Sequence, residues 1–77
     1  MSRIKLIWDF RGADAPGLAQ HHVKHLEEFA RREELPDDEC NCAPVNDKHW
    51  MAWIVVPEEK MISVRDALRP HRGQRLG

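Results

Sequence analysis

The segment Lys48–Val56, KHWMAWIVV, governs how the rest of the chain is read. Met51, Trp53 and Val55 alternate with Trp50, Ala52, Ile54 and Val56, so a strand here is apolar on both faces. Such a strand is covered on both sides. Just before it, Cys40–Val45 reads as a shorter strand, with Asn46-Asp47 as a two-residue hairpin turn between the two. Pro44 has no N–H to give to a ladder, which puts the shorter strand at an edge.

Upstream, Arg3–Phe10 sets Ile4, Leu6, Trp8 and Phe10 against Lys5, Ile7 and Asp9, the period-two pattern of a strand with one face in the core. Arg11–Gly17 is a connection containing two glycines and a proline. Asp14 or a neighbour caps a helix whose first turn suits Pro16. That helix is expected from Pro16 to Glu34, with Pro36 as its stop. Downstream, a second helix begins near Pro57, takes Glu58 and Glu59 in its first turn, and ends before Pro70. Its apolar stripe is Met61, Val64 and Leu68.

The order is strand, helix, strand, strand, helix, with room for a short closing strand in Gly73–Leu76. This is an α+β chain with the ferredoxin-like split β-α-β pattern, an antiparallel sheet carrying both helices on one face. Residues 1–70 form the domain and 71–77 a polar tail. At 77 residues the core is thin, which favours a partner subunit as a staple. The sheet's other face would include Ile7 and one side of Lys48–Val56. A bare apolar face of that kind is an interaction site, and a homodimer through the sheet is expected.

At this architectural level the sequence resembles the dimeric α+β barrel superfamily of small bacterial proteins, which includes antibiotic-biosynthesis-monooxygenase-like and YciI-like families. The segment HHVKHLEEF, His21–Phe29, looks like the His-bearing first helix of YciI-like proteins. The resemblance implies sheet-against-sheet pairing and a small organic ligand held between sheet and helices. No complete catalytic set of that superfamily is matched, so it leaves activity open.

Composition narrows the function classes. The chain is 42% hydrophobic and 32% charged with a net charge of −1, which argues against disorder. Arg65, Arg69, Arg72 and Arg75, with His71 among them, suggest nucleic acid. The overall charge and the placement of all three tryptophans in strands argue against it. The acidic stretch Glu33–Glu39 offers these arginines a partner. The N-terminus lacks a signal-type apolar core, and the longest apolar run, Met51–Val56, is far short of a membrane span. A cytoplasmic protein without a membrane partner is expected. Cys40 and Cys42, spaced i and i+2 on a strand, are poorly placed for a disulfide and read as free thiols.

Three groups of residues carry chemistry. On a helical projection His22 falls inside the apolar stripe with Leu26 and Phe29, His25 lies just past its edge, and His21 lies further out. His21 and His25 have the i, i+4 spacing of a zinc helix, but no HExxH motif accompanies them. Cys40, Cys42 and His49 share one face if Asn46-Asp47 is the turn. They would suit a soft metal, or else be small buried thiols beside Met51 and Trp53. Asp9, Arg11 and Asp14 stand where the first strand meets the helix, a rim at which a helix N-terminus favours an anion. Asp9 with His22 or His25 would make an acid/base pair; the alternative is a salt bridge from Asp9 to Arg11 or Lys5.

The leading expectation is a pocket between sheet and first helix, near Trp8, Asp9, Arg11, His22 and His25, that binds or turns over a small organic molecule without a cofactor. A non-enzymatic interaction or regulatory module is the alternative, and a metal-binding protein the third. Whether the chain is an enzyme stays open.

Overall fold

A computed structural model describes residues 2–36 and 39–77, so Asp37 and Asp38 of the acidic stretch lie outside the described residues. The elements are β1 (Arg3–Arg11), α1 (Ala15–Arg32), β2 (Cys40–Asn46), β3 (His49–Pro57), α2 (Glu58–Leu68) and β4 (Arg72–Arg75). The sheet order is β2-β3-β1-β4, and every neighbouring pair is antiparallel. This is the ferredoxin-like arrangement the hydrophobic pattern predicts. The closing strand is present and pairs with β1 from Ile4↔Arg75 to Ile7↔Arg72.

The core lies between sheet and helices. Ile4, Leu6 and Trp8 of β1 and Ile54 and Val56 of β3 pack with Leu26, Phe29 and Ala30 of α1 and Val64 of α2. Met61 and Leu68 complete the α2 stripe as read from the sequence. Trp8 also donates its indole N–H to the Leu68 carbonyl at 3.3 Å, which pins the end of α2 to the centre of the sheet.

Connections explain the element ends. Gly12, at φ +104°, turns the chain out of β1 while its N–H bonds the Lys48 carbonyl at 2.7 Å. Asp14 occupies the N-cap position of α1, but its side chain makes no capping hydrogen bond. α1 stops at Arg32, short of the expected Glu34. Leu35 N–H returns to the Ala30 carbonyl at 2.7 Å and Glu34 N–H to Arg31 at 3.3 Å, a Schellman closure. Glu34 takes the left-handed position of that closure at φ 57°, and Leu35 drops into the core.

The β2–β3 hairpin corrects the expected register. Its turn is Asp47-Lys48, held by Lys48 N–H donating to Asn46 Oδ1 at 3.0 Å, and an irregularity between Pro44 and Asn46 leaves Val45 without a partner. Cys40 therefore faces Ile54 and Cys42 faces Ala52, one residue away from the expected Trp53 and Met51. β2 is an edge strand, as Pro44 requires.

The open face of the sheet is not bare. Ile7 and Val55 are only 1% and 8% exposed there. Long side chains lie across them: Lys5 Nζ stands 4.0 Å from the centre of the Trp53 ring, and Arg72 Nη2 lies 3.8 Å from Met51 Sδ.

Candidate functional site

The three clustered histidines divide as the helical projection implies. His21 and His25, both exposed, bring their Nε2 atoms to 2.9 Å with rings nearly perpendicular. His22 turns inward instead, its ring 4.6 Å from Trp8 and 5.5 Å from Phe10. Its Nε2 is buried and has no hydrogen-bond partner, where a core histidine would ordinarily find one. Burial, with smaller contributions from His25, His71 and His21, pushes its pKa down. His22 is held neutral by its surroundings.

Asp9 does not meet these histidines. It shares the open face with Met51 and His49, since Asp9 pairs with Met51 and Arg11 with His49 across β1 and β3. Its carboxylate accepts two hydrogen bonds from Arg72, Nε to Oδ2 at 3.0 Å and Nη2 to Oδ1 at 3.1 Å, and lies 2.7 Å from His49 Nε2. Arg72 first, and His49 after it, outweigh the opposing effect of burial and hold the Asp9 pKa at about 2. A general base works best with a pKa near the operating pH, so a carboxylate this stabilised is a brace joining β1, β3 and β4. The expected pairings of Asp9 with His22, His25, Arg11 or Lys5 are replaced by Arg72 and His49, because β4 delivers an arginine that the sequence placed in a tail. Arg11 stands exposed at the end of β1.

The cysteine constellation also separates. The shifted hairpin register puts Cys40 and Cys42 on the helix side of the sheet and His49 on the open side. Cys42 is a free thiol, and burial raises its pKa. Among the described residues no group of three or more His, Cys, Asp or Glu side chains is placed to hold a metal ion.

A cleft of about 440 Å³ is lined by residues of β1, α2 and β4 and by the turn that leads into β4. Ile4, Leu6 and Met61 give it an apolar floor, and Arg65, His71 and Arg75 stand around it. Gly73 leaves the floor uncovered: a Cβ there would lie in van der Waals contact with Leu6 at 3.5 Å and Ile4 at 3.8 Å. His71 is oriented by the sheet. Its own N–H bonds the Ile7 carbonyl at 2.9 Å, and its Nδ1 accepts the Asp9 N–H at 2.9 Å. With Nδ1 accepting, the neutral ring carries its hydrogen on Nε2 and offers a donor. Among the described residues, Arg65 and Arg75 make exposed ion pairs, to Asp66 at 3.3 Å and Glu58 at 2.8 Å. Among the described residues, Arg65, Arg72 and Arg75 pair with Asp66, Asp9 and Glu58, and Glu39 takes Arg3 at 3.2 Å.

In the sequence alone, Arg65, His71, Arg72 and Arg75 read only as a basic end. The signal available was Gly73 between arginines after a helix stop, a pattern that fits a short strand unable to fill the space beneath a helix. No helix among the described residues is long and apolar enough to cross a membrane. The chain matches no protein-family model, no curated protein and no solved structure.

Proposed function

We propose that this protein binds a small organic anion with an apolar body, such as a medium-chain or aromatic carboxylate, in the cleft between α2 and β4. The observation that carries this reading is the combination of an apolar floor with Arg65, His71 and Arg75 at its edge. Its volume of about 440 Å³ falls within the range of small-molecule sites. Exposed ion pairs such as Arg65–Asp66 and Arg75–Glu58 are worth about 0–1 kcal/mol, so a ligand carboxylate competes with them at little cost. The ligand lies against the second helix in this reading, and the inward-facing His22 acts on α1 packing. The test is a thermal-shift series with octanoate and phenylacetate. The parent should gain stability, and Arg65→Gln, Arg75→Gln and the cleft-filling Gly73→Leu should each lose that gain. A series without any shift, or with shifts unaffected by all three changes, refutes the site.

A second reading, a homodimer through the open face of the sheet, draws on Met51 and Trp53, which are only partly buried. Its apolar surface is narrower than the sequence suggests, since Ile7 and Val55 are already covered within one chain. Lys5 and Arg72 are long covers that a partner could displace.

A further inference from the structure

We propose that His21 and His25 form a two-imidazole chelate for a divalent transition-metal cation that prefers right-angle coordination, the Ni(II) and Cu(II) class. The proposal is independent of the anion cleft. His21 and His25 lie one turn apart near the middle of the 18-residue α1, whose inner face is fixed by the buried Ala15, Ala19, Leu26, Phe29 and Ala30. Residues four apart on a helix face the same way, so the two side chains start from a rigid base. The order needed for chelation is largely present before a ligand arrives.

The separation of the two nitrogens fits the right-angle class. Two metal–nitrogen bonds of about 2.0–2.1 Å at a right angle hold the nitrogens about 2.8–3.0 Å apart, whereas a tetrahedral angle demands about 3.3–3.4 Å. The Nε2 atoms of His21 and His25 are 2.9 Å apart, with ring planes 81° from parallel. That matches neighbouring corners of a square or an octahedron. In the free protein one Nε2 carries the hydrogen of the contact. When that ring moves its hydrogen to Nδ1, small rotations of the two exposed side chains turn the Nε2 lone pairs from each other toward one shared point, and the neutral pair gives up no proton. Both side chains are exposed, so water completes the coordination sphere. His22 does not contribute, since its ring is turned between Trp8 and Phe10. An exposed two-ligand site of this kind holds metal reversibly and is not needed for folding.

The experiment is calorimetric titration of the tag-free chain with Ni(II) chloride, a probe that does not oxidise Cys40 or Cys42. One Ni(II) should bind per chain. His21→Ala and His25→Ala should each weaken binding at least tenfold, the double variant little further, and Cys42→Ala not at all. His21→Gln and His25→Gln, which keep a long polar side chain on the helix, should show the same loss with an unchanged circular dichroism spectrum. Ni(II) should also raise the melting temperature of the parent and of Cys42→Ala but of none of the histidine variants. Absence of Ni(II) binding to the parent, or binding retained by the single histidine variants, overturns the proposal. So does binding lost on changing Cys42 alone.

Discussion

Replacing His22 by Phe should stabilise this protein, although it changes a half-buried residue in the middle of its longest helix. The ring of His22 touches Trp8 and Phe10 at 4.6 and 5.5 Å, contacts that a phenyl ring keeps. Aromatic pairs of this kind contribute about 0.5–1.5 kcal/mol each. What changes is Nε2, buried without a partner. A polar atom in that state costs about 1–3 kcal/mol, and the larger phenyl ring gives back part of the saving through tighter packing. The net expectation is a gain of about 1 kcal/mol, or roughly 4–8 °C in melting temperature for a chain of this size. His22→Ala keeps neither ring contact and should lose about 1–3 kcal/mol. The acid limb gives a second readout. Because the folded pKa of His22 lies below its ordinary value, the unfolded chain takes up the proton first as pH falls. The stability that neutral His22 contributes is therefore full above about pH 6.5 and is lost as pH falls from there toward the lower folded value. Urea melts at about pH 7.5 and about pH 5.5 should show the Phe variant losing less stability between them than the parent. A Phe variant less stable than the parent at the higher pH, with an unchanged urea slope, would refute the account of the unmet nitrogen.

The other predictions concern separate parts of the fold. Asp9→Asn should cost about 1–2 kcal/mol at neutral pH in chemical melts, by loosening the junction of β1, β3 and β4. With a folded pKa of about 2, the parent's contribution from Asp9 is present above the unfolded value of about 3.9 and lost as pH falls toward 2, so the Asn variant should lack that part of the acid limb. Glu34→Gly should stabilise by about 0.5–1 kcal/mol in the same assay, because a left-handed residue at φ 57° favours glycine. If the open face pairs two copies, light scattering across a concentration series should approach twice the chain mass, and Trp53→Lys should return it to one; a parent that stays at one chain mass removes the homodimer.

Most of the fold was legible because β1, α1, β3 and α2 each announced themselves in a different way. Lys48–Val56 alternates as a strand apolar on both faces, and in the structure β3 pairs with β1 on one edge and β2 on the other, with Val55 covered on the open face and Met51 and Trp53 partly so. The i, i+4 and i, i+1 relations of the histidines placed His21 with His25 and turned His22 inward. Registers and partners were less legible. Whether Asn46 ends a strand or opens a turn depends on a side-chain bond to Lys48 N–H and on the unpaired Val45, and a one-residue difference moved Cys40 and Cys42 away from His49. The cleft was hidden for a related reason. Arg72–Arg75 is exposed at every position and carries no apolar signal, yet its backbone pairing with β1 sets His71 in place and leaves the space above Gly73. Asp9 likewise found its partners through strand order rather than through proximity in sequence.

The most direct test of the central claim is a ¹H–¹⁵N correlation spectrum of the labelled protein recorded during titration with octanoate. Ligand in the cleft should give saturable shifts centred on Gly73, Gln74, Met61 and His71, with the Arg65 and Arg75 side-chain signals moving at the same ligand concentration and Gly73→Leu abolishing them all. Shifts confined to the outer face of α1, or a spectrum unchanged at high ligand concentration, would contradict it.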